Sequence, residues 1–171
     1  MKNRYLKKLF PPVFISNIKV KLGQSLKNGL AGAIIIAGLS LLSKFTGNPL
    51  IMGSFGASVF LLLAVPHSPF SQPRNLLIGH LIASLIGLIC FNFISNEIFA
   101  LTVSMCIVIA AMQILDVSHP PAASNPIIIF LSSPDWVFIL MPTLVGAFFL
   151  VICAYCFHRW ISKSTYPVVN A

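Results

Sequence analysis

Acidic side chains are nearly absent. Asp116, Asp135 and Glu97 are the only three carboxylates in 171 residues, against eleven lysines and arginines. That scarcity excludes paired-carboxylate acid–base chemistry and any cage of acidic metal ligands. Charged residues of every kind make up only 8% of the chain, where a soluble domain carries about 25%. Catalytic patterns are missing too. There is no His pair at H-x-x-x-H spacing, no Gly-x-Ser-x-Gly elbow, no phosphate-cradling loop and no dinucleotide fingerprint. No enzyme activity, cofactor or metal is therefore expected. Cysteine is scarce. Cys90, Cys106, Cys153 and Cys156 all lie in apolar runs. Cys153 and Cys156 share a helix face, but their surroundings suit packing rather than redox or metal chemistry.

What the chain has instead is apolar surface. Hydrophobic residues make up 57% and the mean hydropathy is +0.94. A soluble fold of this size cannot hide so much apolar area. Seven of the eleven basic residues fall within residues 1–27: Lys2, Arg4, Lys7, Lys8, Lys19, Lys21 and Lys27. A basic flank of this kind holds a terminus in the cytoplasm and leans on anionic lipid. No nucleic-acid motif accompanies it, so no nucleic-acid partner is expected. The flank lacks the apolar core of a cleavable signal peptide.

Full-length apolar runs are expected as spans at 26–43, 76–94, 98–115 and 136–157, since crossing hydrocarbon takes roughly 20 residues. Two runs are too short or too interrupted. One is 50–65, beginning "IMGSFGAS". The other is the apolar part of "LDVSHPPAASNPIIIF", residues 121–131, which reaches only about 16 Å as a helix. The fold class expected is an all-α polytopic membrane protein of four long helices plus two short broken or re-entrant ones. Three regions follow: a basic cytoplasmic segment 1–25, one transmembrane domain 26–158 and a cytoplasmic tail 159–171. The pattern of span, small-polar stretch, short run, Ser-Pro turn and span occurs twice, in 26–94 and 98–158, which predicts a two-fold repeat. Re-entrant short elements give four crossings with Arg74 outside. Crossing ones give six with Arg74 inside, beside the other positive charges. Both versions put both termini in the cytoplasm of a bacterial-type inner membrane. Gly29, Gly32 and Gly38 predict close helix approach, within the chain or in a homo-oligomer.

Interrupted segments in matching halves point to a transport site. Pro120 and Pro121, or Pro126 with Ser124 or Asn125 as cap, open a short helix whose start attracts an anion. "GSFGAS" provides Ser54, Gly56, Ala57 and Ser58 at the start of the other. Two such starts facing each other across a wet hollow form the expected substrate site, completed by His119, Ala122, Ser124 and Asn125. Gln72, Arg74, Asn75, His80 and Asp116 are the expected pathway mouth, with Asp116 and His119 a possible proton relay. A plainer reading takes all these residues as packing and kinking devices.

The blocks "FGASVFLLLAVPHSPFSQPRNLLIGH" and "SHPPAASNP" resemble the HPP family of integral membrane proteins, named for the tripeptide seen here as His119-Pro120-Pro121. The motif residues that match are Phe55 to Ser58, Ser68, Pro69, Gln72 to Asn75, Gly79, His80 and His119 to Ala122. After Ala122 the chain departs, since relatives often read "PPAGAT". The resemblance implies four transmembrane helices and transport of a small inorganic anion, with nitrite the first expectation. The rival expectation is a membrane scaffold or partner subunit that transports nothing.

Overall fold

The computed structural model describes residues 18–168, with side chains from Leu22 onward. The basic residues Lys2, Arg4, Lys7 and Lys8 lie outside this range, as do the side chains of Lys19 and Lys21. Helix α1 is Ile18–Thr46, α2 Gly53–Ala64, α3 Pro73–Phe93 and α4 Glu97–Ile114. A 3-10 turn, Pro120–Ser124, runs straight into α5, Asn125–Ser132. The last span, Trp136–Ser162, is a broken helix whose regular part is α6, Val145–Cys156. Four stretches are long and apolar enough to cross a membrane: Leu22–Thr46, Pro73–Phe93, Glu97–Ile114 and Trp136–Ser162. Among the described residues there is no strand. Helix α1 begins well before residue 26, because Lys21, Gln24 and Lys27 favour helix and carry it past the apolar segment.

The six elements alternate in direction. Gly32 of α1 meets Val59 and Leu63 of α2, and Gly38 meets Phe149 of α6. These two glycines therefore serve packing within the chain. The start of α3 is bonded to the turn after α4, through Arg74 to the Leu115 carbonyl and Asn75 to the Ser118 carbonyl. Gly79 and Gly87 of α3 lie against His119 and Ile129 in turn, so α5 runs parallel to α3. His158, past the end of α6, donates from Nε2 to the Leu62 carbonyl near the end of α2.

The two short helices are thus broken crossings. Helix α2 has 12 residues, about 18 Å, and irregular chain at 47–52 and 65–72 completes its passage. Proline and small residues interrupt both, and several backbone groups of the irregular chain are bonded within the protein, such as the Asn48, Val65, Pro66 and Ser68 carbonyls. Arg74, Arg159 and Lys163 gather at the end of the bundle where α1 begins. Glu97, Asp135 and Lys44 lie at the other end.

Around an apolar core, burial departs from that of a soluble protein in two ways. Phe45, Phe93, Ile98, Ile114 and Leu131 are each at least 76% exposed, while Ser58, His80, Ser84, His119, Asn125 and Thr143 are fully buried. In lipid this is the favourable arrangement, because apolar side chains face a solvent as apolar as themselves.

The contact of α6 with α2 leaves no room for a methyl group at Gly146. A Cβ on Gly146 would run into the Phe55 ring and sit 3.3 Å from the Leu50 carbonyl oxygen. Gly146→Ala is expected to destabilise the protein by about 1–3 kcal/mol through overpacking. Thermal unfolding in detergent checks this, with Gly56→Ala as control, since a Cβ at Gly56 meets nothing within 4 Å and its melting temperature should not fall.

Candidate functional site

A continuous string of polar side chains crosses the bundle interior. His119 lies just before the 3-10 turn, and its Nδ1 is 2.6 Å from the Phe70 carbonyl. Its Nε2 is 2.8 Å from Ser58 Oγ on α2. Ser58 Oγ is also 3.1 Å from Nε2 of His80 on α3. Asn125 Nδ2, at the head of α5, reaches His80 Nδ1 at 3.1 Å and Ser84 Oγ at 2.9 Å. Ser84 Oγ meets Thr143 Oγ1 at 2.8 Å. The two imidazole rings lie 5.1 Å apart, and the Phe55 ring stands edge-on to His80 at 5.2 Å.

Proton positions follow from donor–acceptor logic. A carbonyl only accepts, so His119 Nδ1 carries a hydrogen and donates to Phe70. In the neutral ring Nε2 is then an acceptor, and the Ser58 hydroxyl donates to it. Ser58 in turn accepts from His80 Nε2–H, which leaves His80 Nδ1 to accept from the Asn125 amide. The second amide hydrogen goes to Ser84, which is bonded in turn to the Thr143 hydroxyl, either oxygen able to donate. This assignment gives each bond of the string one donor and one acceptor.

The local sequence explains who takes part. Helix α2 turns Ser54, Phe55, Ser58, Val59, Leu62 and Leu63 inward. His80 and Ser84 are one turn apart on α3 and share its buried face. Gly79 lets the chain at His119 approach α3, since a Cβ there would sit 3.0 Å from His119 Cβ and 3.3 Å from the Val117 carbonyl.

Of the expected substrate residues, Ser58, His119 and Asn125 are brought together, with Ser54 one turn below Ser58 and Ala122 buried against Gly79. Pro121 is buried and opens the 3-10 turn with Pro120, which is exposed. Gly56 and Ala57 are on the outer, exposed face of α2 and leave the site. Ser124 bonds back to the Pro121 carbonyl at 2.8 Å instead of facing the string. The two helix starts do not face each other. The start of α2, at Met52, shares a groove with Ile128 and Ser132 of α5, whereas Ser58, six residues further on, is what reaches His119. Antiparallel packing of the two short elements imposes this offset, and the 3-10 turn covers the start of α5.

The expected mouth also divides. His80 sits at the centre of the string. Gln72 is buried, and its amide donates to the Pro66 and Ser68 carbonyls at 2.9 Å each. Arg74 is exposed and Asn75 half-buried, and both tie down the turn after α4. Asp116 is an exposed turn residue with φ of 52°, a conformation that aspartate tolerates. No bond links it to His119 among the described residues; His119's partners are Ser58 and Phe70. Ser84 and Thr143 were not foreseen. The spacing of Ser84 four residues after His80 was the available signal.

Two buried side-chain atoms have no hydrogen-bond partner among the described residues, Ser54 Oγ and Asn125 Oδ1. Buried polar atoms are rarely left so. Both belong to residues in or beside the string. A tail strap closes the basic end. Tyr166 donates to the Ser71 carbonyl at 2.9 Å and Val168 N–H to Gln72 Oε1 at 2.9 Å. Burial pushes the Tyr166 phenol up, so it remains a donor.

An apolar exterior, four full spans, two broken crossings and an uncharged polar interior define a multi-pass α-helical membrane protein. The family model described as HPP, transmembrane region, matches residues 17–167. The chain belongs to the HPP family. It is 31% identical over 128 residues to one transmembrane protein of Dictyostelium discoideum, covering 69% of this chain and 44% of that protein. A second transmembrane protein of the same organism is 30% identical over 128 residues, covering 69% and 40%. The chain thus matches less than half the length of these relatives. No solved structure matches it.

The Ser84–Thr143 bond joins α3 to the last span. Ser84→Ala and Thr143→Val in a double-mutant cycle should show a coupling of about 0.6 kcal/mol and not above about 2. Unfolding in mixed micelles reads it.

Proposed function

We propose that the protein carries a small inorganic anion across the membrane, with nitrite as the first candidate, at the string formed by Ser58, His80, His119 and Asn125. The observation that carries this reading is a neutral, fully buried polar chain that joins the two HPP motif blocks inside the bundle. Polar groups inside a membrane are costly and mark substrate paths. The string contains hydroxyls, an amide and imidazoles but no lysine or arginine. Hydrogen-bond donors without a full charge strip water from an anion and still release it. Nitrite enters through the family resemblance. The transport is not enzymatic, and the end bearing Arg74, Arg159 and Lys163 faces the cytoplasm by the positive-inside rule.

The scaffold reading is favoured by one observation: most members of the string satisfy one another, as packing devices do. Purified protein in liposomes separates the two. Transport requires nitrite or nitrate uptake above that of empty liposomes. It also requires that uptake fall by more than about tenfold in Ser58→Ala and His119→Ala, each removing a hydrogen bond at the site, while circular dichroism shows both variants folded. Folded wild type with no uptake of either anion establishes the scaffold.

A further inference from the structure

We propose that His119 is a proton-binding site in the membrane interior and that Ser58 is the rotor that admits the proton, so that the anion crosses with one proton. The inference rests on the transport reading above and assigns its coupling ion.

The geometry singles out His119. Ser58 Oγ has three neighbours within bonding distance: His119 Nε2 at 2.8 Å, His80 Nε2 at 3.1 Å and the Ser54 carbonyl oxygen at 3.1 Å. In the neutral string its hydroxyl points at His119. Add one proton to His119 Nε2, and that nitrogen becomes a donor. Ser58 then turns its hydroxyl to the Ser54 carbonyl and accepts from both rings, using both lone pairs. His119 Nδ1 keeps its bond to Phe70. The proton balance is one hydronium proton taken from the adjacent water phase and one imidazolium formed, with no other bond lost. His80 has no such route. Its Nδ1 faces the Asn125 amide nitrogen, which is a donor. Protonation there sets donor against donor unless the amide flips, which would turn Asn125 Oδ1 toward the His80 carbonyl oxygen now 3.4 Å from Nδ2.

Among the described residues, nothing near His119 neutralises the added charge in advance. Helix α2 carries no titratable residue, and α3 presents His80, with Arg74 turned onto Leu115. From α4 and the turn after it come exposed Cys106, exposed Asp116 and Glu97, the last at the far end of the bundle with Cys90 of α3, and His67 in the segment after α2 is exposed as well. An imidazolium alone in this interior is costly, and so is a lone anion. Together they are neutral. Each therefore raises the affinity for the other by the same factor, as linkage requires. Asn125 Oδ1, buried and without a partner among the described residues, adds a free acceptor to the site, which suits an anion accompanied by a proton better than a bare anion.

The full chain in liposomes with a trapped pH dye tests this. Nitrate serves beside nitrite, because nitric acid is too strong to leak through lipid as the neutral acid. An inward anion gradient should acidify the lumen at one proton per anion, and clamping the membrane potential should leave the rate unchanged. Ser58→Thr, which retains the hydroxyl, should keep acidification and uptake in step. Ser58→Ala should lower proton-driven uptake roughly tenfold or more, as loss of one hydrogen bond to a charged group implies. Histidine nitrogen NMR of folded wild type should show one ring becoming doubly protonated as nitrate is added at constant pH. Anion uptake driven by membrane potential without acidification overturns the coupling and leaves transport standing. Absence of any uptake overturns transport and the coupling with it.

Discussion

A polar atom inside hydrocarbon must find its partner within the protein, and this constraint shapes the molecule. Six side chains from five elements meet that demand by bonding to one another from the Phe70 carbonyl to Thr143. Such a chain forms only if the elements come close. Gly79 and Gly87 supply the approach, since a side chain on either would meet His119 or Ile129. The helix directions and the string are therefore one solution: α5 lies along α3 at a distance at which Asn125 spans His80 and Ser84.

Neutrality is the second consequence. The buried polar residues are serine, glutamine, histidine, asparagine and threonine, while the described lysines, arginines and carboxylates sit at the ends of the bundle or on its exposed faces. A fixed charge at mid-membrane would hold an opposite ion strongly and demand a permanent counter-charge when empty. Hydroxyls and tautomeric rings ask for neither. They reorient, and their bonds can be exchanged one for one with those of a guest. Ser54 Oγ and Asn125 Oδ1, the two buried side-chain atoms without a partner among the described residues, mark where the internal accounts of the string remain open.

How much of this was legible in the residues differs by feature. The four long helices were, because about twenty consecutive apolar residues have few other destinies. The broken character of α2 and α5 was also legible, from Gly53, Gly56, Pro121 and Pro126. Ser58, His119 and Asn125 stood out as polar residues in apolar surroundings. The offset of the two helix starts did not, since it depends on antiparallel packing that no local pattern encodes. His80 was misplaced for the same reason. Its depth in the span was legible, but its place at the centre of the string was not, because that depends on α2 and α5 closing over it. Gln72 and Arg74 read as mouth residues because polarity beside a span suits solvent and carbonyl oxygens equally. Only the fold shows that Gln72 bonds Pro66, Ser68 and the tail. Thr143 was hidden in a span whose apolar neighbours drew no attention to it.

The order of protons in the string traces back to an unlikely place. His119 is held in one tautomer by the Phe70 carbonyl. That carbonyl belongs to the turn Pro69–Ser71, which Ser71 anchors through its hydroxyl to the Leu61 and Val65 carbonyls. The tail fixes the same turn from outside, with Tyr166 on the Ser71 carbonyl and Val168 on Gln72. Were the turn to swing away, His119 Nδ1 would lose its acceptor, and the ring would be free to take the opposite tautomer. Ser58 would then face a donor at His119 as well as at His80, and its hydroxyl would have to turn to Ser54. The strap at the basic end thus stands in mechanical series with the direction of every hydrogen bond from His119 to His80, and a structural tie at the membrane surface sets the polarity of a chain some turns deeper.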